Sequence, residues 1–526
     1  MDMEIFGRKM MEGELKVETK DFSLKTELRR TDFGWILNGW LKGKVGRIEI
    51  FRTKAPKQAF LNNWQSWGPC RMMDLGQFQV GSVDKDWQYA VSLVPELLER
   101  TLLSDYFVAE DGKLYGFLTS KFAHPFFAFE DQDLVAYLEY FDTFFEDYVP
   151  LETFVLMENS DNYELLTRYA EMVAKQNEAR FKEDRFTGWC SWYHYFLDLT
   201  WPEVLKNLEL ARKYSVRVFQ IDDGYEADIG DWLDTKEGFP KLDEIAKTIL
   251  EKGFEPGIWT APFSVSETSK LFQQHPDWVV KKNGAPKLAY RNWNRKIYAL
   301  DLSREDVKKW LFDLFSSLRQ MGFSYFKIDF LFAGAMPGER FRPISPVEAF
   351  REGLRVIRKA VGDAFVLGCG SPLLPAVGLV DGMRIGPDTA PYWGEDLPDR
   401  GIPAAKWALR NAITRSFMNR RLWQNDPDCL LLRSQKTELS QTEREIYAYT
   451  CAVLDNMIIL SDDLSLYDDS SDRIFQQTLR LLGGRAKVLN VFNDEPSYLI
   501  EAFGTKSGDL KLEVNLTDKT FTLKGS

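Results

Sequence analysis

Histidine and cysteine are the scarcest chemically versatile residues in this chain, with three and five copies among 526 residues. His124, His194 and His275 form no pair at metal-ligand spacing, and HExxH and CxxC are both absent. No zinc site is therefore expected, and no metal or other cofactor is assigned. Cys70, Cys190, Cys369, Cys429 and Cys451 are odd in number and widely spaced, which suits a reducing compartment better than a disulfide framework. GxGxxG and GxxxxGK[ST] are missing, so nucleotide binding has no signature. The lack of GxSxG removes the common serine-hydrolase elbow. No apolar run approaches the ~18 residues of a membrane helix, and the first residues lack a charged-then-apolar signal pattern. The expected location is the cytoplasm, with no membrane partner. Positive charge is also short: 67 Lys and Arg face 79 Asp and Glu, a net charge of −12. That argues against a nucleic-acid partner, which needs a concentrated basic surface.

Aromatic residues, in contrast, are plentiful, with 16 Trp, 20 Tyr and 38 Phe. Large cores are the plain explanation; aromatic faces also match the C–H face of a pyranose ring. The length predicts two or three domains. Residues 1–180 read as an N-terminal β-sandwich domain, because Leu15–Glu18, Phe22–Lys25, Ile48–Ile50 and Leu138–Tyr140 alternate apolar and polar. Helical periodicity first becomes clear near Tyr163–Leu166.

Residues 181–484 change rhythm. Eight short apolar runs read as strands: Thr187–Ser191, Val218–Asp222, Glu255–Trp259, Phe326–Phe330, Phe365–Gly368, Gly382–Ile385, Leu422–Asn425 and Met457–Leu460. Helical patterns lie between them, as in Leu242, Ile245, Ala246, Ile249 and Leu250. Thr200–Glu203, Ser345–Glu348 and Ser440–Glu443 have capping-box spacing, and Pro202 and Pro346 suit a first turn. Eight strand–helix alternations predict a (β/α)8 barrel. Residues 485–526 turn β again and are expected to form a small, short antiparallel C-terminal β domain. The fold class is multidomain, α/β plus all-β.

In such a barrel the C-terminal strand ends carry the chemistry. Here they are heavily acidic: Asp222 and Asp223, Asp329, Asp388, Asp426 and Asp428, and Asp462 and Asp463. A loop acid or helix cap explains any one of them; several converging on one mouth suit a polyhydroxylated ligand. Two carboxylates at neighbouring strand ends are what glycoside cleavage needs, one as proton donor and one as nucleophile. Lys327 stands two residues before Asp329, on the same strand face, where its charge would hold Asp329 ionised. Gly386-Pro387 breaks the strand after Arg384 and places Asp388 on a loop. Cys190 is expected to be a buried thiol and His194 a structural histidine. Trp64 and Trp67 read as sandwich core or as a loop over the barrel mouth.

Asn63-Trp64-Gln65-Ser66-Trp67, Gly188-Trp189-Cys190-Ser191-Trp192-Tyr193, Gln220-Ile221-Asp222-Asp223-Gly224-Tyr225, Gly257-Ile258-Trp259, Lys327-Ile328-Asp329-Phe330 and Arg384-Ile385-Gly386-Pro387-Asp388 follow in order along the chain. In these segments the sequence resembles glycoside hydrolase family 36, the bacterial-type α-galactosidases, in its compact form. The resemblance implies retaining hydrolysis of terminal α-galactosyl residues from melibiose- or raffinose-type oligosaccharides, with Asp329 as nucleophile and Asp388 as acid/base. It implies that Asp222 and Asp223 accept galactose hydroxyls, and that Lys327, Arg384, Trp259, Trp67, Trp192, Tyr193 and Cys369 contact the sugar. Galactosyl transfer, α-N-acetylgalactosaminidase activity and a non-catalytic galactoside-binding protein are the alternatives. Association into a homo-oligomer is left open.

Overall fold

The computed structural model describes residues 3–77, 83–182, 186–397, 399, 401–494 and 496–525. The N-terminal part is one 13-stranded antiparallel sheet. Its spine is a pair of long strands, Gly34–Lys54 and Asp133–Pro150. Their pairing shifts register at Ala136/Tyr137, Glu139/Thr143 and Phe145/Val149. Such irregularities bend a strand and strengthen its twist, which lets two strands serve the whole sheet. The segments with legible alternation lie in the strands Gly13–Glu18 and Phe22–Thr31 and in the two long ones. A helix, Asn162–Asn177, leads out of the sheet; Asp161 caps it by accepting from the N–H groups of Tyr163 and Glu164.

The barrel strands are β1 (Thr187–Cys190), β2 (Val218–Ile221), β3 (Glu255–Thr260), β4 (Tyr325–Ile328), β5 (Phe365–Gly368), β6 (Gly382–Arg384), β7 (Gln424–Asp426) and β8 (Ile458–Leu460). All are parallel, in the order β7-β6-β5-β4-β3-β2-β1-β8. Between β7 and β8 the Met457 N–H donates to the Asn425 carbonyl at 3.0 Å, and Leu430 bridges Leu460, so the cylinder is nearly closed. All eight expected strands are present. The seventh starts later than expected: a tight turn joins Arg420 to Trp423, so Leu422 lies outside the strand and Asp426 ends it.

Two of the three expected capping boxes form in full. Thr200/Glu203 and Ser440/Glu443 form reciprocal capping boxes, while Ser345 accepts from the Glu348 N–H alone. In the helix Leu242–Glu251 the apolar stripe is buried except for Leu250, which is 50% exposed and lies off the core-facing face. A three-stranded antiparallel insertion that the sequence pattern does not announce lies between β3 and β4, made of Ser264–Ser266, Leu288–Asn292 and Arg295–Ala299.

The C-terminal residues form a four-stranded antiparallel sheet, Arg485–Val488, Ser497–Thr505, Gly508–Asn515 and Thr520–Gly525. It is tied to the barrel by the Trp393 indole, which donates to the Leu516 carbonyl at 2.9 Å, and by Lys519 against Glu443 at 2.9 Å. All five cysteines are buried and free. Among the described residues no helix is long and apolar enough to cross a membrane.

Candidate active site

Six of the strand-end acids, Asp222, Asp223, Asp329, Asp388, Asp426 and Asp428, lie close enough to act on one another in a chain of charges around one mouth. Asp329 follows β4, anchored by its N–H on the Thr260 carbonyl at 2.8 Å. Its Oδ2 accepts from the Trp259 indole at 3.1 Å and its Oδ1 from the Phe330 N–H at 2.7 Å. Burial pushes its carboxyl above the usual range, opposed by the Lys327 charge and by hydrogen bonds from Cys369 and Trp259; the charge of Asp388 adds to the rise. Asp388 is the most open of this group, with 35% of its side chain exposed. Arg384, fully buried at the end of β6, donates to Asp388 Oδ1 at 2.9 Å.

Lys327 sits differently from the sequence expectation. Its Nζ pairs with Asp222 Oδ2 at 2.8 Å, not with Asp329. One residue layer below the mouth, the long side chain spans the barrel interior to the end of β2. Asp329 is therefore held by Trp259 and a backbone N–H, with Lys327 acting on it only through space. Asp222 also accepts from Gln220 Nε2, from the Cys190 thiol at 3.3 Å and, through Oδ1, from the Asp223 N–H at 2.9 Å. Cys190 is thus a buried donor, as expected.

Asp223 Oδ2 accepts from the Trp293 indole at 2.9 Å, while the buried Oδ1 has no hydrogen-bond donor among the described residues. Burial and the neighbouring Glu226 charge push this carboxyl well above its usual range. Glu226 in turn accepts from the N–H groups of Gly224 and Tyr225, both at 3.1 Å. Two N–H donors favour the charge on Glu226, and although burial raises both carboxyls, Asp223 is pushed the further of the two. Neither Trp293 nor Glu226 was singled out from the sequence. Glu226 stands in the segment Asp222-Asp223-Gly224-Tyr225-Glu226, and Trp293 in the turn Asn292-Trp293-Asn294 of the antiparallel insertion.

One wall comes from the N-terminal sheet. Ser66 N–H donates to the Ser371 carbonyl at 3.0 Å, and Leu373 N–H to the Trp64 carbonyl at 2.9 Å, which lays residues 64–67 along the chain leaving β5. Arg415 donates to the carbonyls of Ser66 and Ile385, both at 2.8 Å, tying this loop to the one that carries Asp388. Trp67 then stands edge-on to Phe330, ring centroids 5.2 Å apart, and its indole N–H has no acceptor among the described residues. Trp64 is fully buried core. Gly370 makes the approach feasible: a Cβ there would lie 2.8 Å from Trp67 Cζ2, and its φ is +52°. Gly370→Ala is expected to lower stability by about 1–3 kcal/mol through overpacking, read as a lower urea midpoint.

The remaining assigned residues divide. Tyr193 donates its hydroxyl to Asp428, joining the Arg384 network. Cys369 receives an Arg384 contact at 3.8 Å, and burial drives its thiol well above the usual range. Trp192 packs edge-on against Phe196 at 5.1 Å and makes no hydrogen bond to the acids among the described residues. Asp462 is structural, accepting from the N–H groups of Leu432 and Arg433 and pairing with the Arg433 guanidinium; Asp463 caps the turn at Leu464–Leu466. His194 stacks edge-on against Tyr195, and burial lowers its pKa. Chemically, the mouth offers a buried carboxylate, an open carboxyl on an arginine, and unpaired polar atoms between aromatic walls.

Two family models match: the α-galactosidase N-terminal model over residues 27–158 and the melibiase model over residues 154–332. Alpha-galactosidase 1 of Pediococcus pentosaceus is 30% identical over 165 residues, which is 28% of this chain and 22% of that protein. Alpha-galactosidase AgaA of Geobacillus stearothermophilus is 29% identical over 167 residues, 29% of this chain and 22% of that protein. These matches span about a fifth of the length of the two curated relatives. The structure of TtGalA, an α-galactosidase of Thermus thermophilus solved with p-nitrophenyl α-D-galactopyranoside, superposes with a TM-score of 0.77. It is 26% identical, and the match covers 97% of this chain and 100% of that one. The AgaA structure superposes at 0.63 with 12% identity, covering 98% of this chain and 80% of that one, a likeness of fold alone.

Proposed function

Because the chain belongs to glycoside hydrolase family 36, the α-galactosidases, we propose that it hydrolyses terminal, non-reducing α-D-galactosyl residues of galacto-oligosaccharides by double displacement with retention. The observation that carries this reading is the pair at the mouth: Asp329 buried and clamped, and Asp388 open on Arg384, close enough for its charge to act on Asp329. Retaining enzymes need two such carboxyl groups about 5–5.5 Å apart.

In the first step Asp329 attacks the anomeric carbon, while Asp388 gives its proton to the leaving oxygen. In the second, water loses a proton to Asp388 and attacks the galactosyl ester of Asp329, which leaves with its electron pair. The Trp259 indole and Phe330 N–H orient the carboxylate without neutralising it. Asp222 and Asp223 face the sugar as hydroxyl partners, with Lys327 and Trp293 holding them in place. Trp67, Phe330, Trp259 and Trp293 supply apolar faces around the ring.

The test is a comparison of initial rates on p-nitrophenyl α-galactoside and α-glucoside, with proton NMR of the first-formed sugar. The expected result is strong preference for the galactoside and α-galactose appearing before mutarotation. β-Galactose as the first product would overturn retention; absence of turnover on a bound galactoside would leave a binding protein.

A further inference from the structure

Arg384 is shared. Its Nη2 donates to Asp388 Oδ1 at 2.9 Å and lies 2.7 Å from Asp428 Oδ2. Asp428 is 1% exposed and held in a left-handed backbone conformation, φ +83°, an uncommon posture for a residue other than glycine. Its Oδ2 also accepts from the Tyr193 hydroxyl and from the Thr389 N–H at 2.8 Å, and its Oδ1 from the Cys429 N–H at 2.8 Å. Donors from β6, from the Asp388 loop, from the segment after β1 and from its own loop thus all converge on one carboxylate.

We propose that Asp428 is a positioning residue for Asp388: it occupies the Arg384 guanidinium so that Asp388 can carry the proton destined for the leaving oxygen. This rests on the acid/base role given above to Asp388. An arginine with no other partner would bind Asp388 as a carboxylate and oppose its protonation. With Asp428 as counterion the guanidinium is largely neutralised, yet it still fixes Oδ1 in direction. Hydrogen-bond geometry and charge are thereby separated, which an acid that must both point and protonate requires.

The other groups facing Asp428 do not upset this balance. Asp426 on β7 and Lys327 on β4 bring one charge of each sign. The phenols of Tyr193 and Tyr447 and the thiols of Cys429 and Cys451 are held neutral by burial. Burial also pushes Asp428 up to about 6, against the pull of Arg384. Its charge is therefore in place at neutral pH and is lost in mild acid.

The test is the pH profile of kcat/KM for Asp428→Asn, measured on p-nitrophenyl α-galactoside and on melibiose. Removing the counterion should favour the Asp388 carboxylate. The basic limb should move to lower pH by roughly one unit or more, and melibiose, with its poor leaving group, should lose at least about tenfold at pH 7. The aryl substrate should lose less. Tyr193→Phe keeps all charges but removes one donor from Asp428. It should raise the Asp428 pKa and shift the basic limb the same way by a smaller amount, and it decides the matter alone if Asp428→Asn does not fold. A folded variant with a uniformly lower rate and an unmoved basic limb, or one moved to higher pH, overturns the proposal. Persistence of the basic limb in Asp388→Asn would instead overturn the acid/base assignment itself.

Discussion

Asp329→Ala is expected to abolish hydrolysis of p-nitrophenyl α-galactoside, and added azide is expected to restore turnover as β-galactosyl azide. Without the carboxylate no galactosyl ester can form. Truncation to alanine leaves space beneath the anomeric carbon, and a small anion can enter there and displace nitrophenolate with inversion. The companion experiment gives the opposite stereochemistry. In Asp388→Ala the ester on Asp329 still forms from an activated aryl galactoside. Azide then attacks it from the face that water would use and yields α-galactosyl azide. The general-acid contribution lost there is on the order of 10²–10⁴-fold for a substrate with a poor leaving group. Swapped products would exchange the two roles. Undiminished hydrolysis by Asp329→Ala would remove it from the mechanism altogether.

The placement of these two acids was legible because barrel strands are short, buried and apolar, and end abruptly in acids. The run Tyr325–Ile328 followed by Asp329, and Gly382–Arg384 followed by Ile385-Gly386-Pro387-Asp388, need no long-range information to be read. What stayed hidden depends on distance in sequence. The partner of Lys327 is 105 residues away, just past the end of β2. Strand alternation says which side a lysine faces, but not which acid its flexible stem reaches. Trp293 escaped because the insertion carrying it interrupts a β/α unit with antiparallel strands, so that segment read as neither barrel strand nor helix. Asp428 was visible as one more strand-end acid; its link to Asp388 runs through a guanidinium on another strand, and no local pattern encodes that. Trp67 was readable as either core or wall, and the docking of residues 64–67 along the chain after β5 makes it part of the wall.

Lys327→Met should produce the largest loss of stability among single changes at the mouth. Lys327 and Asp222 are 7% and 2% exposed at the side chain, so neither charge is relieved by bulk water. Burial pulls the lysine pKa down, but the negative charge of Asp222, joined by that of Asp329, raises it well above its ordinary value. Because the folded value exceeds the unfolded one, this stabilisation is present in full at neutral pH and fades only in strong alkali. Methionine fills a similar volume but leaves the Asp222 carboxylate with only uncharged donors, Gln220, Cys190 and a backbone N–H. Breaking a buried pair from one side costs roughly 3–5 kcal/mol, which urea denaturation at pH 7 would resolve. The double variant Lys327→Met/Asp222→Asn removes both charges and should recover most of that loss, although it forfeits the hydroxyl partner proposed for the sugar. A cost under about 1 kcal/mol for Lys327→Met, or a double variant no more stable than the single one, would mean that the neutral donors carry the Asp222 charge and that Lys327 serves the substrate alone.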